Sequence, residues 1–159
     1  KNVLMAAQKA LELLGGKAVV VATKTLGQGL GAALSFDANM DSSELVAEME
    51  NAAKRVITLE LTRASRSVEI GQFNIKEGQV IGLRDDELAF AGENAEDGVL
   101  SLLKQSFSGQ EICTVFSGPN VTGEAVEKLR SSVKAAFPAL ELDIHTGGPD
   151  LYDYLVTLE

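Results

Sequence analysis

The residues whose types and spacing could do chemistry gather in a few short stretches. The first is Thr23-Lys24-Thr25-Leu26-Gly27-Gln28-Gly29, which follows the β-branched run Val19-Val20-Val21 and precedes an Ala/Leu segment. Hydroxyls, a cation and backbone N–H groups at a helix N-terminus are the parts of an anion or phosphate cradle. The stretch is not a Walker A loop, whose glycine run closes with Gly-Lys-Ser/Thr, and it is not GxGxxG. The plain alternative is a turn whose threonines and Gln28 satisfy the donors of a helix end.

His145 is the only histidine. It stands at a predicted strand end before Gly147-Gly148, a place where functional residues occur. Having no second histidine and no near cysteine to share a metal, it reads first as a structural hydrogen-bonder. Cys113, the only cysteine, allows no internal disulfide and no cysteine metal cluster, and it reads as a small buried hydrophobe. Arg63 and Arg66, with Ser65 and Ser67, could grip a carboxylate or phosphate. Equally, they could pair with acids of another lobe and set the lobe angle. Thr23, Lys24, Thr25, Gln28, Arg63, Arg66 and His145 therefore make up the candidate anion or ligand site.

Acidic residues form the other constellation. Asp85, Asp86, Glu87, Glu93, Glu96 and Asp97 are densely spaced but lack the DxDxDG pattern of an EF-hand loop. The tail adds Glu141, Asp143, Asp150, Asp153 and Glu159 with no Lys or Arg among them. A solvated surface is one reading and a docking surface the other. On the docking reading the partner-binding residues are Asp85, Asp86, Glu87, Glu93, Asp150 and Asp153.

The charge balance weighs on that choice. The 159 residues carry 23 acids and 14 bases, a net charge of −9. Residues 1–66 are close to balanced at +1, whereas residues 67–159 carry −10. An acidic half of this kind repels nucleic acid and anionic headgroups, which bind through Lys and Arg, and attracts a basic protein surface. No apolar run approaches the roughly 20 residues that span a bilayer. No signal-peptide pattern opens the chain. A cytoplasmic, reducing location and no membrane insertion are expected.

The elements that must position these residues follow from periodicity and caps. Leu4, Ala7, Leu11 and Leu14 give a helix over 3–14, with Asn2 as N-cap and Gly15-Gly16 as stop. Ala18–Ala22 reads as a short buried strand, and a helix is expected over about 29–36. Asp41-Ser-Ser-Glu44 resembles a capping box opening a helix with Leu45, Met49, Ala52, Ala53 and Val56 on one face. Residues 56–64 alternate as a strand. A lobe boundary is placed near Arg66, giving an incomplete first lobe (1–66) and a second lobe (67–159). The second lobe opens with hairpins over 68–91. Helices capped by Asn94 and Thr122 then alternate with strands near 111–116, 140–144 and 154–158, which implies a parallel or mixed sheet.

These same stretches resemble a known family. Asn2-Val-Leu-Met-Ala-Ala7 followed by Val20-Val21-Ala22-Thr23-Lys24-Thr25-Leu26-Gly27-Gln28-Gly29 is similar to the signature "N-I-I-x-A-A … V-V-P-T-K-T-I-P-Q-G" of the bacterial fatty acid kinase subunit related to dihydroxyacetone kinase. Ile75-x-x-Gly78-x-x-Ile81-Gly82, Phe116-Ser117-Gly118 and His145-Thr-Gly147-Gly148 with Leu151-Tyr152-x-Tyr154 resemble further family motifs in colinear order. Ala22 and Gly27 stand where the family has prolines, and Gly147-Gly148-Pro149-Asp150 departs from Gly-Gly-Gln-Pro, so the loop geometry is open to change.

The resemblance is to the C-terminal region of that subunit. It implies an α/β fold of two small DegV-like lobes, each a parallel or mixed sheet flanked by helices, with the first lobe N-terminally truncated. It also implies a division of labour. ATP and magnesium belong to an N-terminal domain of the parent protein, phosphoryl transfer to a middle domain, and docking of the DegV-type fatty-acid-binding protein to the region matched here. No catalytic, cofactor or metal residue is carried over to this fragment. The expectation is a non-catalytic carrier-docking domain serving acyl-phosphate formation, beside the other domains of the kinase subunit. The alternative is a small-molecule module holding a fatty acid or anionic effector near Thr23–Gln28 and Arg63/Arg66. A phosphatase-type enzyme is disfavoured, because no nucleophile–base–metal set is present.

Overall fold

The computed structural model describes residues 2–15 and 18–159, and the chain divides at Val56/Ile57 into two units. In the first unit the described elements are helices: α1 (Asn2–Leu13), α2 (Leu26–Leu34) and α3 (Ser42–Arg55). Leu4, Ala7 and Leu11 are the half-buried positions of α1, as its period predicts, whereas Leu14 lies past the helix end and is exposed. Gly15 takes the left-handed φ of +63° that suits a helix stop. The capping side chain of Asn2 and the second stop residue, Gly16, lie outside the described residues.

Helix α2 starts three residues before its expected position. Thr25 is its N-cap, with extended backbone and a hydroxyl that accepts from the Gln28 N–H at 3.2 Å. Gln28 Oε1 in turn accepts from the Lys24 N–H at 2.9 Å. Gly27, expected in the turn, is therefore helical. Gly31 meets Val56 so closely that a Cβ there would collide with its Cγ2. Asp41 caps α3 as expected, accepting from the N–H and hydroxyl of Ser43, and these bonds hold its carboxyl below the usual range.

The strand expected at Ala18–Ala22 is not formed. Residues 18–23 pair with no strand among the described residues, and Val19 is 61% exposed. β-branched apolarity favours extended backbone, but a strand exists only when a second backbone completes the ladder. The expected sheet in the first lobe is corrected accordingly.

The second unit contains β1 (Ile57–Arg63), β2 (Val68–Ile70), β3 (Phe73–Ile75), β4 (Val80–Arg84), β5 (Glu87–Gly92), α4 (Ala95–Ser106), β6 (Ile112–Ser117), α5 (Gly123–Ala136), β7 (Glu141–Thr146) and β8 (Tyr154–Leu158). Six strands form one sheet in the order β5-β4-β1-β8-β6-β7, and β2-β3 form a separate hairpin. The sheet is mixed but mostly antiparallel. Only β6 and β7, joined through α5, run parallel. Strand β1, expected as the last strand of the first lobe, is instead central, between β4 and β8. The division thus falls ten residues before Arg66, because a strand belongs with the strands it pairs to rather than with the helix before it.

Asn94 and Thr122 cap α4 and α5 as their sequences predict, accepting from Asp97 and Ala125 N–H groups. Both helices pack on one sheet face around Leu59, Leu61, Val99, Leu102, Leu129 and Val156. Cys113 lies in this core, and burial pushes its thiol up to about 12. It is unreactive filling, as read from sequence.

Candidate functional site: an acidic sheet end

Pairing directions give the sheet two ends. Strands β1, β5, β6 and β7 begin where β4 and β8 finish. At that end lie Asp85, Asp86 and Glu87 of the β4–β5 turn, Glu111 ahead of β6, Glu141 opening β7 and Glu159 after β8. Backbone bonds draw the last three together. Glu111 N–H donates to Glu159 O at 2.8 Å, and Glu141 N–H to Glu111 O at 2.8 Å. Among these six acids only Asp85 is not exposed. Arg84 is the base on the strand ends here, with Lys104 and Lys134 in the last turns of α4 and α5.

The β4–β5 turn is held under strain. Asp85 and Asp86 have φ of +49° and +72°, the left-handed pair of a type I′ hairpin turn, at roughly 1–2 kcal/mol per non-glycine residue. Two bonds to β1 hold it: Asp85 N–H donates to Thr58 O at 2.9 Å, and Thr58 N–H donates to Asp85 Oδ1 at 3.0 Å. Asp85 is therefore largely a structural clamp, while Asp86 and Glu87 face solvent.

The structure separates the remaining sequence-predicted acids from this group. Glu93, Asp150 and Asp153 lie at the opposite end of the sheet. Asp153 forms an ion pair with Arg63 at 3.3 Å. Arg63 does find an acid, but both residues belong to the second unit, so the pair ties β1 to the loop before β8. Arg63, Glu93, Asn94, Glu96, Thr122 and Asp153 line a cleft of about 200 Å³ where α4 and α5 begin. Two helix N-termini favour anions, and the chain's own carboxylates already answer them. Glu96 there accepts a 2.6 Å bond from the Tyr154 hydroxyl, whose pKa is raised by burial and by that carboxylate.

His145 lies elsewhere again. Leu142 and Ile144 of β7 pack toward the helices, so Asp143 and His145 point from the other face. His145 Nε2 is 2.9 Å from Asp143 Oδ2, and its ring stacks on Phe116 at 5.4 Å. Arg63 and His145 are on opposite sheet faces, Arg66 is exposed on the connection after β1, and Thr25 and Gln28 are engaged in a helix cap. The predicted ligand set is not assembled within either unit. Among the described residues no three His, Cys, Asp or Glu side chains are grouped to hold a metal ion.

Glu60 was missed from sequence. Its place between Thr58 and Thr62 reads as a solvent-facing position, yet it is only 6% exposed. Burial raises its carboxyl above the usual range, Tyr152 offsets part of this by hydrogen bonding, and Asp86 and Asp85 add to it. Burial first, then Glu60, pushes the Tyr152 phenol up to about 12.

A mostly antiparallel sheet under two capped helices makes the second unit an α/β domain, and the chain's fold resembles that of DegV-family proteins. The chain matches the solved Streptococcus pneumoniae Fatty Acid Kinase (Fak) B3 protein loaded with linoleic acid over 98% of its own length and 64% of that chain, at 12% identity and TM-score 0.64. A Eubacterium eligens DegV family protein loaded with heptadecanoic acid matches over 98% and 66%, at 12% identity and TM-score 0.65. At such identities the likeness is one of fold. In sequence, the FakA-like family of fatty acid kinase C-terminal domains matches residues 1–159, and the chain belongs to that family. An uncharacterized protein of Staphylococcus aureus strain USA300 is 28% identical over the whole chain, which spans 29% of that relative's length. Among the described residues no helix is long and apolar enough to cross a membrane.

Proposed function

We propose that this domain docks a basic DegV-type fatty-acid-binding protein for a fatty acid kinase, without itself carrying catalytic groups. ATP, magnesium and phosphoryl transfer fall to other domains of the longer protein. One observation carries the reading: the whole net charge sits on the second unit. Residues 57–159 hold 17 acids and 8 bases, while residues 1–56 hold 6 of each. The exposed rim of Asp86, Glu87, Glu111, Glu141 and Glu159 outweighs Arg84, Lys104 and Lys134 at the same end and leaves a net acidic surface that steers a basic partner and raises its on-rate. Glu93, Asp150 and Asp153 add charge at the other end of the sheet. Binding of the full kinase subunit to its carrier tests this. Raising salt from low to about 0.5 M weakens binding at least about tenfold, and Asp86→Lys/Glu87→Lys lowers the on-rate. Affinity unchanged by both would refute electrostatic docking.

A second reading has its own support in the first unit. Val19, Val21, Phe36, Leu45, Val46 and Met49 line an apolar pocket of about 470 Å³, a size and lining suited to a small apolar ligand. The structural neighbours named above were solved with fatty acids bound. Native mass spectrometry separates the two readings: a co-purified acyl chain supports the pocket, and an empty protein that still binds carrier supports docking.

A further inference from the structure

The loop of residues 147–153 is at odds with its composition. Two glycines and a proline in seven residues predict a pliant connection, yet it is fastened along its length. Gly148 N–H donates to Ser117 O at 2.8 Å, and Asp153 N–H donates to Leu61 O at 2.8 Å. The Thr62 hydroxyl donates to Leu151 O at 2.6 Å. Gly118 N–H donates to Asp153 O at 2.9 Å, and Gly118 carries no Cβ where the Tyr152 carbonyl oxygen lies. Tyr152 is hydrogen-bonded to the buried Glu60, and Asp153 is paired with Arg63. Strands β1 and β6 therefore both hold the loop.

Amid these fastenings one large apolar side chain is left outside. Leu151 is 68% exposed, the highest value for a large apolar residue of the second unit among the described residues. A lone exposed leucine is ordinary on a mobile surface. On a loop already ordered it differs, because the entropy of fixing an anchor has been met before binding. Its neighbour Asp150 is exposed and forms no hydrogen bond or ion pair among the described residues. The apolar anchor thus carries a free carboxylate beside it.

We infer that the 147–153 loop is a preorganised contact element whose Leu151 enters an apolar depression, edged by Lys or Arg, on a folded basic protein. This rests on the carrier-docking reading and adds a short-range anchor to the long-range attraction of the acidic rim. A lipid surface is the poorer occupant, because the unit's net charge repels anionic headgroups. The rim, at the far end of the sheet, sets the encounter rate. Leu151 sets how long the complex lasts.

Binding of the full-length kinase subunit to its DegV-type carrier, followed in real time, tests the inference. Leu151→Ala raises Kd at least about tenfold through faster dissociation, with the salt dependence unchanged. Leu151→Met keeps near wild-type affinity, and Asp150→Lys reduces both the on-rate and the salt dependence. Unchanged thermal unfolding of Leu151→Ala confirms that the fold is intact. If Leu151→Ala dissociates like the wild type while Asp86→Lys/Glu87→Lys still weakens binding, the anchor is overturned and docking stands. If the wild-type subunit does not bind the carrier, the docking reading fails and the anchor fails with it.

Discussion

The two units of this chain obey the same local rules and reach different results. In the first, the buried apolar residues among those described are Ala32, Ala52, Ala53 and Val56; in the second they include Leu59, Leu61, Leu102, Leu103, Leu129, Leu155 and Leu158. Fully burying a leucine contributes about 1.5–3 kcal/mol, and an alanine brings only a small part of that area. Nine of the thirteen exposed large apolar side chains among the described residues, from Val3 to Phe36, lie in the first unit. Both units have capped helices with the right period. What the second has in addition is a sheet for those helices to cover, so helix signals alone do not make a core.

This contrast can be broken most directly by hydrogen exchange. Amides of α2 and α3 should exchange at least about a thousandfold faster than those of β1 and β8, since local opening tracks buried apolar contact. Equal protection would show that the first unit is as well supported as the second. A smaller effect comes from paired truncations. Leu61→Ala, in the second core, should cost about 2–5 kcal/mol in denaturant unfolding. Leu34→Ala, 80% exposed on α2, should stay within about 0.5 kcal/mol. A large cost for Leu34→Ala would mean that the exposed face of α2 also has a packing partner.

The smallest effect sharpens the electrostatic side. The raised carboxyl of Glu60 means that the folded state holds this proton more tightly than the unfolded state does. Wild-type stability therefore falls as pH rises from the ordinary glutamate value through the raised one, and the cost persists at neutral pH. Glu60→Gln removes that titration. It should be more stable than wild type at pH 7, with the advantage fading as pH drops to about 4. Thermal unfolding across this range checks the sign, and a variant less stable at every pH would show that Tyr152 requires the charged partner.

Much of the fold was legible because its signals are local. Asp41, Asn94 and Thr122 announced their helices through bonds two or three residues long. The β4–β5 hairpin was bounded by its own turn, and strand β8 was placed to the residue. Thr25 carried the same kind of signal, and the glycines after it pointed instead to a loop. Glu60 could not be read, because alternation along a strand marks two faces without saying whether both are covered.

The sequence by itself determined the caps of α3, α4 and α5, the hairpins, the charge division and the family. Each of these depends on near neighbours or on composition. Only the tertiary structure decided that β1 sits at the centre of the second unit's sheet, and that Glu111, Glu141 and Glu159 meet at one end of it. It also put Arg63 and His145 on opposite faces of that sheet and closed the 147–153 loop around an exposed leucine. Those outcomes rest on pairing between strands many residues apart, and in a strand the choice of partner and register carries no local mark.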